Sequence, residues 1–296
     1  MKVAINYANE GYKKAQKINT KTAYKYGKFD KVVEYSREDI NKEYLEFHKN
    51  ILCNMRGDGY WIWKPYIIKD ALSKLEEGDY LFYCDSGAIF VKSIDYLINA
   101  LNDSGQDIML FETPFIEWQW SKSDVLEYFN VSLNTSILHS CQRLGGYILI
   151  RKTKYSVTFF DRYFDICHSE DNLLTDILSE SDNEKQIIEN RHDQSILSIL
   201  SKLYGLRPFR DPSEYGKHPK AYKSFMDYMS PDKNILYQFN DYSNSDYPQI
   251  IWGHRSGTVK PTALALSWCR SFLPDWLTKR ILKLSIDLYR RKSRRQ

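Results

Sequence analysis

A run of apolar residues ends in an aspartate within the segment Asp79–Phe90, DYLFYCDSGAIF. Its first half reads as a buried strand that closes on Asp85, and Ser86 and Gly87 follow directly. In open α/β sheets, ligands bind beyond the carboxyl ends of the strands. An aspartate there can bind a divalent cation, and a glycine lets backbone approach a ligand. An aspartate that opens a turn before glycine is also common, so Asp85 taken alone leaves both interpretations open.

Strand-like and helix-like segments alternate on both sides of this run. The strand candidates are KVAINYA (2–8), DKVVEYS (30–36), DIMLFE (107–112) and GYILIRK (146–152). The helix candidates are REDINKEYLEFHKNIL (37–52), PYIIKDALSKLEE (65–77) and DQSILSILSKLYG (193–205). This alternation predicts an α/β fold in one domain, residues 1–265, with a Rossmann-like mixed central sheet flanked by helices.

Composition and charge limit the class of protein. An apolar content of 43% and a charged content of 27% are typical of a folded, soluble protein, and no apolar run reaches the length of a membrane span. Five scattered cysteines without a CxxC pair predict reduced thiols in a cytoplasm. The net charge is +4; residues 266–296 hold nine Lys or Arg against two Asp, 9 − 2 = +7, which leaves −3 on residues 1–265. A mildly acidic body argues against nucleic acid as a partner.

The tail, residues 266–296, has the pattern of an amphipathic helix. Its apolar residues recur at three- and four-residue steps between Lys and Arg: Trp268, Phe272, Trp276, Leu277, Ile281, Leu284 and Leu288. Such a helix can lie on an anionic membrane surface, where each basic residue adds about 1 kcal/mol. The alternative is a last helix packed on the body. We favour the membrane, and expect a cytoplasmic protein associated peripherally with the inner face of the cell membrane.

The segment RHDQSIL (191–197) carries a candidate catalytic pair. Asp193 precedes a helix, where an aspartate commonly caps the first turn. The functional interpretation places Asp193 and Gln194 in a cleft, as a general base or as stabilisers of an oxocarbenium-like transition state. The sequence alone leaves both interpretations open.

Two other segments place glycine beside polar residues. In RLGGYILIRKT (143–153), Gly145 and Gly146 precede a strand, where a flat sugar could lie against the backbone or a tight turn could form. In GHRSGTVKP (253–261), an imidazole and an ammonium stand on either side of a glycine. That arrangement either has no function or closes over a metal-bound diphosphate.

The order of these elements resembles the GT-A glycosyltransferases of family 8, the group of glycogenin and the bacterial lipooligosaccharide galactosyltransferases. HRSGTVKP matches the four fixed positions of that family's late motif, HxxGxxKP. The resemblance implies that Asp85 and His254 bind Mn2+ or Mg2+ and that Lys260 contacts the diphosphate of a nucleotide-sugar. It implies four residues beside the transferred sugar: Asp193, Gln194, Gly145 and Gly146. The family's strand-end motif is DxD, and here Gly87 stands in place of the second carboxylate.

A second resemblance covers most of residues 1–265 and is the closer one. Bacterial polysaccharide-biosynthesis glycosyltransferases combine GYWxWKP, YxDxG and HDQS, and this chain has all three, at 59–65, 83–87 and 192–195. The resemblance implies that Lys64 contacts phosphate or the donor sugar. Trp61 and Trp63 fit better as wall or core than as ligand platforms.

Two further assignments rest on position. EWQWSKSD (117–124) either helps to form the acceptor side, through Trp120, Lys122 and Asp124, or is a solvated loop. Tyr7 ends the first strand where related folds hold the nucleobase, and we expect it to stack on uracil.

The sequence therefore predicts a glycosyltransferase that moves a hexose from a nucleotide-sugar onto a lipid-linked oligosaccharide in capsule or O-antigen synthesis. A UDP-sugar is the favoured donor. Retention of the anomeric configuration is slightly favoured over inversion. The alternative function is a non-catalytic carbohydrate-binding or scaffolding subunit of a polysaccharide assembly complex, in which the missing second carboxylate reflects lost catalysis.

Overall fold

A central five-stranded sheet forms the body of the protein. The computed structural model describes residues 1–180, 182, 187–217, 242–257, 277 and 280. Lys260, the domain boundary at residue 265 and the amphipathic pattern of the tail, residues 266–296, fall outside the described residues, apart from the single positions 277 and 280.

The sheet mixes parallel and antiparallel strands. The strands are β1 Lys2–Tyr7, β2 Lys31–Tyr35, β3 Tyr80–Cys84, β4 Ala88–Phe90, β5 Ile108–Ile116, β6 Cys141–Arg151 and β7 Ile251–Gly253. Five of them form one sheet in the order β2-β1-β3-β6-β5, while β4 and β7 form a separate antiparallel pair. β1 runs parallel to β2 and β3, and β6 runs antiparallel to β3 and β5. The predicted mixed α/β fold is confirmed.

Helices cover both faces of the sheet. Those of six or more residues are α1 Lys13–Thr22, α2 Lys42–Phe47, α3 Trp63–Ser73, α4 Asp95–Ser104, α5 Ser123–Tyr128, α6 Lys154–Ser169 and α7 Asp193–Leu203. Single turns occur at Lys49–Leu52, Gly57–Tyr60, Glu117–Trp120, Thr135–Leu138 and Glu214–Lys217, with short 3-10 or π segments at Glu10–Tyr12, Ala23–Gly27, Arg37–Asp39 and Asp171–Leu174. None of the helices within the described residues is both long and apolar enough to span a membrane.

The continuous helix predicted over residues 37–52 is wrong. The Asn41 side chain accepts hydrogen bonds from the backbone N–H groups of Glu43 and Tyr44, so α2 starts only after Asn41. At His48 the backbone leaves the helical region, with φ −97° and ψ 17°, which separates α2 from the turn Lys49–Leu52. Asparagine favours a capping position over a helix interior because its side chain competes for backbone hydrogen bonds.

Alternate residues of each central strand enter different cores. In β3, Leu81 and Tyr83 join the core beneath α3, α6 and α7, while Phe82 and Cys84 join the core beneath α4. Strands that are apolar on both sides are typical of sheets covered on both faces. The parallel strands β1 and β3 end side by side, and ligands of such sheets bind beyond the carboxyl ends of the strands.

Candidate active site

A cavity of about 390 Å³ lies at the carboxyl ends of β1 and β3. Its wall includes eight of the residues singled out from the sequence: Tyr7, Lys64, Asp85, Gly87, Gly145, Gly146, Asp193 and Gln194. The antiparallel strand β6 crosses this edge, and the Asp85 N–H donates to the Gly146 carbonyl at 2.9 Å. Residues from the first strand, α3, β3, β6 and α7 thus meet at one place.

A buried ion pair lies in the cavity wall. The Lys64 ammonium is 2.7 Å from the Asp193 carboxylate, and the two side chains are 4% and 3% exposed. The same ammonium donates to the Gly145 carbonyl at 3.1 Å, and the Tyr163 hydroxyl donates to Asp193 at 3.0 Å. Burial raises the pKa of the Asp193 carboxyl, while the Lys64 charge and the Tyr163 hydroxyl oppose that rise. The WKP and HDQS segments are therefore joined by a charge pair.

Gln194 holds the β6 backbone. Its side-chain oxygen accepts from the Gly145 N–H at 3.0 Å, and its amide group donates to Gln142 at 2.8 Å. A Cβ on Gly145 would lie 3.2 Å from Cβ of Gln194, closer than most Cβ contacts, and 3.4 Å from the Lys64 ammonium. A side chain at this position would press on α7, which packs directly on this part of the strand.

Asp85 is oriented by its own strand. The Tyr83 hydroxyl donates to Asp85 Oδ1 at 2.6 Å, and a Cβ on Gly146 would lie only 2.9 Å from Oδ2. The Ser86 hydroxyl donates to the Tyr7 carbonyl at 2.6 Å and so ties the ends of β3 and β1 together. The carboxylate is thus held at the cavity wall by Tyr83 of β3 and lies against Gly146 of β6.

Asp85 and His254 are the two side chains predicted to bind a metal ion. The Gly87 carbonyl accepts from the N–H groups of His254 and Arg255 at 2.9 and 2.8 Å, which brings His254 to the strand-end turn. His254 Nε2 is buried without a hydrogen-bond partner, and burial lowers the imidazole pKa. Within the described ranges, no three His, Cys, Asp or Glu side chains come together to hold a metal ion. A cation would thus need the oxygens of a bound diphosphate to complete its ligands.

A left-handed turn forms another part of the wall. Five successive residues, Gly57 to Trp61, have positive φ angles of 59°, 54°, 93°, 52° and 60°. Three of them are not glycine, and each costs about 1–2 kcal/mol in this conformation. Such strain persists only where surrounding contacts impose it, and it is concentrated at functional sites. The turn places the Asp58 carboxylate against the Tyr7 hydroxyl and against Arg37 at 2.7 Å.

Tyr7 is less free than the uracil-stacking prediction requires. Its ring stacks on Trp63 with centroids 3.8 Å apart and planes 15° apart, so one face is covered. Its hydroxyl donates to Asp58. Burial is the main cause that raises the tyrosine pKa, and the hydrogen bond to Asp58 raises it further. Trp63 therefore serves as wall, as its sequence context favours, and any base would meet Tyr7 only on the remaining face or edge.

The three expected acceptor-side residues do not line the cavity. Trp120 is 2% exposed and packs against Phe115. The Lys122 ammonium, 1% exposed, donates to the carbonyls of Asn172 and Ile177. Asp124 lies 3.3 Å from that ammonium with its side chain about one third exposed. These contacts hold the α5 region to the segment after α6, which is a structural role.

Several cavity residues were missed at the sequence level. Arg56, Asp58, Asp211, Ser213 and Arg255 line the wall. The unusual RGDG run before the GYWxWKP motif could have indicated Asp58, since two glycines so close together suggest positive φ. Asp211 and Ser213 stand in ordinary loop sequence, and nothing in their pattern separates them from surface residues.

Comparison with known proteins yields only distant similarities. No protein-family model matches the sequence, and no curated protein matches it. The glycosyltransferase GlyE of Streptococcus pneumoniae has 15% identity and a TM-score of 0.42; the match covers 99% of this chain and 64% of that one. The galactosyltransferase LgtC, solved with donor and acceptor sugar analogs, has 12% identity and a TM-score of 0.48, covering 94% of this chain and 100% of that one. Mouse xyloside xylosyltransferase 1 has 7% identity and a TM-score of 0.44, covering 88% and 99%.

Proposed function

We propose that the protein is a glycosyltransferase that moves a hexose from a nucleotide-sugar onto a lipid-linked oligosaccharide in capsule or O-antigen synthesis. A UDP-sugar is the favoured donor. The supporting observation is that Lys64, Asp85, Gly145 and Asp193, from separate segments, meet at one cavity. The cavity combines a buried charge pair, close backbone approach and aromatic walls. These features suit a sugar that carries a charged leaving group.

The leaving diphosphate needs positive charge near it as the glycosidic bond breaks. Lys64 supplies an ammonium at the cavity wall, and Lys260, outside the described residues, is proposed as a second. Mn2+ or Mg2+ bound at Asp85 and His254 would act as a Lewis acid on the diphosphate. Tyr83 and Ser86 keep Asp85 and the strand end in position for that contact.

Asp193 is proposed to face the reacting sugar as an anion. Its contact with Lys64 favours the charged carboxylate in spite of burial. A fixed negative charge beside the anomeric carbon stabilises an oxocarbenium-like transition state. We favour retention of configuration because the family 8 resemblance implies it, with Gln194 holding Gly145 and the sugar-facing backbone in place.

The proposed acceptor is a lipid-linked glycan, and the basic tail is proposed to bind the membrane that holds it. A lipid-linked glycan requires the enzyme to work at a membrane surface, and the cationic tail, residues 266–296, supplies a means of binding an anionic leaflet. The protein would then be cytoplasmic and peripheral to the inner face of the cell membrane.

Nucleotide release from a panel of UDP-, GDP- and TDP-sugars tests the proposal. We expect slow hydrolysis of one donor by the wild type and at least a hundredfold loss in Asp193→Asn. Glu112→Gln is the matched control, because Glu112 is also the buried acid of an ion pair, 2.8 Å from Arg143, but does not line the cavity. EDTA and added Mn2+ separate metal-dependent from metal-independent turnover, with His254→Ala probing the same step. Binding of sugars without turnover of any donor would favour the scaffolding alternative.

A further inference from the structure

His192 is a fixed, nearly buried residue in the cavity wall that the proposed mechanism does not use. Its side chain is 3% exposed, and its ring lies 5.1 Å from the rings of both Tyr60 and Trp61 in the left-handed turn. Its own backbone has φ 57° and ψ −126°, a conformation that side-chain-bearing residues rarely adopt. The chain bears this strain to hold an imidazole directly before Asp193.

One hydrogen bond shows which ring nitrogen of His192 carries the proton. Nδ1 lies 2.6 Å from the Leu174 carbonyl, which can only accept, so Nδ1 carries the proton. Burial, with the charges of Arg56 and Arg191, lowers the His192 pKa to about 4, which leaves Nε2 as a bare acceptor at neutral pH. Nε2 is buried and has no hydrogen-bond partner.

The carboxylate beside Nε2 cannot donate a hydrogen bond to it. Asp176 Oδ1 lies 3.6 Å from Nε2 and is itself an acceptor, already bonded to Arg56 at 3.0 Å. A buried acceptor left unpaired is unfavourable, so a donor that enters here relieves that cost. The Asp176 side chain is 36% exposed and bonded to Arg56 at the surface, whereas His192 is 3% exposed and its ring lies against Tyr60 and Trp61.

We infer that His192 Nε2 accepts a hydrogen bond from a sugar hydroxyl bound in the cavity, with Asp176 and Arg56 beside it. The inference rests on the proposed function. A diphosphate presents acceptor oxygens and cannot satisfy Nε2, while every sugar ring presents hydroxyl donors. Because the imidazole is a weak base here, it orients the hydroxyl and does not remove its proton.

Nitrogen NMR of full-length protein labelled with 15N-histidine tests this contact, with His192→Gln used to assign the His192 signals. We expect one protonated and one bare nitrogen in the free protein. We expect UDP alone to leave the bare Nε2 signal in place and a hydroxyl of the transferred or acceptor sugar to shift it. A shift with UDP alone would assign the contact to the ribose or the base and would contradict the inference. A shift with UDP-glucose or UDP-galactose identifies the donor sugar, and a shift only after adding methyl glucoside or methyl galactoside to the UDP complex identifies the acceptor sugar.

Two further results would overturn the inference while leaving the proposed function intact. The first is an unchanged Nε2 signal under saturating UDP-sugar and methyl glycoside, while UDP shifts other signals; the proposed function then survives without the His192 contact. The second is a doubly protonated ring in the free protein. If no nucleotide shifts any signal, the proposed function itself fails and the inference falls with it.

Substitution provides an independent readout. His192→Phe keeps an aromatic ring between Tyr60 and Trp61 but removes the acceptor, so kcat/KM for the hydrolysed or transferred sugar falls about 10- to 100-fold. His192→Gln restores an acceptor oxygen and recovers part of the loss, whereas a purely structural role would favour the Phe variant. Equal activity of His192→Phe and wild type would contradict the contact.

Discussion

The Lys64 ammonium and the Asp193 carboxylate lie 2.7 Å apart in a nearly dry setting, and their neighbours come from β6 and α6. Two charges buried together are tolerated because each supplies what the other lost on leaving water. Either one alone would be an unpaired buried charge. The pair therefore makes the stability of the protein and the geometry of the cavity depend on the same two side chains.

Breaking the pair from one side should be more harmful than removing it. We expect Lys64→Met and Asp193→Asn each to lower the free energy of unfolding, with Lys64→Met costing about 3–5 kcal/mol because it leaves a charged carboxylate unpaired. The double variant should lose less than the sum. Urea unfolding of the four proteins measures the coupling. Strict additivity of the two losses would show that the two charges do not interact.

Glu214 makes stability depend on pH. It is buried, its carboxylate accepts from the Gly253 N–H at 3.2 Å, and burial raises its pKa from 4.5 to about 7. A raised carboxyl pKa contributes stability that is present below pH 4.5 and is lost as the pH rises to about 7, by roughly 3 kcal/mol in all.

Glu214→Gln removes that dependence. The variant should match the wild type in acid and exceed it in unfolding free energy above pH 7, by up to about 3 kcal/mol. His192, whose lowered pKa acts in the opposite direction over an overlapping range, is present in both proteins and cancels in the difference. Denaturation at several pH values provides the comparison, and a difference that stays constant with pH would contradict the Glu214 assignment.

Among the elements, the left-handed turn Gly57–Trp61 connects the β1 side of the cavity to α7. Asp58 bonds Tyr7 at one end, and Tyr60 and Trp61 hold His192 at the other. A local change in this turn should therefore affect both stability and donor binding.

Gly59→Ala tests the turn against a matched glycine. At Gly59, φ is 93°, and a Cβ would lie 2.9 Å from the Leu52 Cα. At Gly78, φ is 83° and no atom lies within 4 Å of the added Cβ. Gly78→Ala should cost about 1 kcal/mol from conformation alone, and Gly59→Ala roughly 1–3 kcal/mol more from the clash. Equal thermal and urea stabilities in the two variants would contradict this description of the turn.

The motifs predicted which residues line the cavity better than which contacts those residues make. Lys64 and Asp193 were both singled out, but their contact joins residues far apart in the chain, and no local pattern encodes it. The break of the 37–52 segment at Asn41 and His48 was hidden by a continuous helical apolar pattern. Lys122 was expected at the acceptor side because a lysine among polar residues resembles a surface site, whereas its side chain is buried and its ammonium donates to the carbonyls of Asn172 and Ile177.

For the whole molecule, the separation of an acidic body from a basic tail predicts binding to anionic membranes. Replacing Arg290, Arg291, Lys292, Arg294 and Arg295 by glutamine should weaken binding to phosphatidylserine vesicles at least a hundredfold, at about 1 kcal/mol per charge. The control replaces five exposed lysines of the body by glutamine: Lys14, Lys17, Lys21, Lys25 and Lys28. Vesicle sedimentation at low and high salt measures both, and equal losses would mean that net charge, not the tail, drives binding.

Above all, we propose that a nucleotide-sugar binds the cavity where four residues meet: Lys64, Asp85, Gly145 and Asp193. Titration calorimetry of UDP, GDP and TDP into the wild type and into Gly145→Val tests it most directly, since a larger side chain at Gly145 would press on Gln194 and Lys64. We predict that one nucleotide binds the wild type and that its affinity falls at least tenfold in a variant that remains folded by circular dichroism. Absence of binding by all three nucleotides, or an unchanged Kd in Gly145→Val, would contradict it.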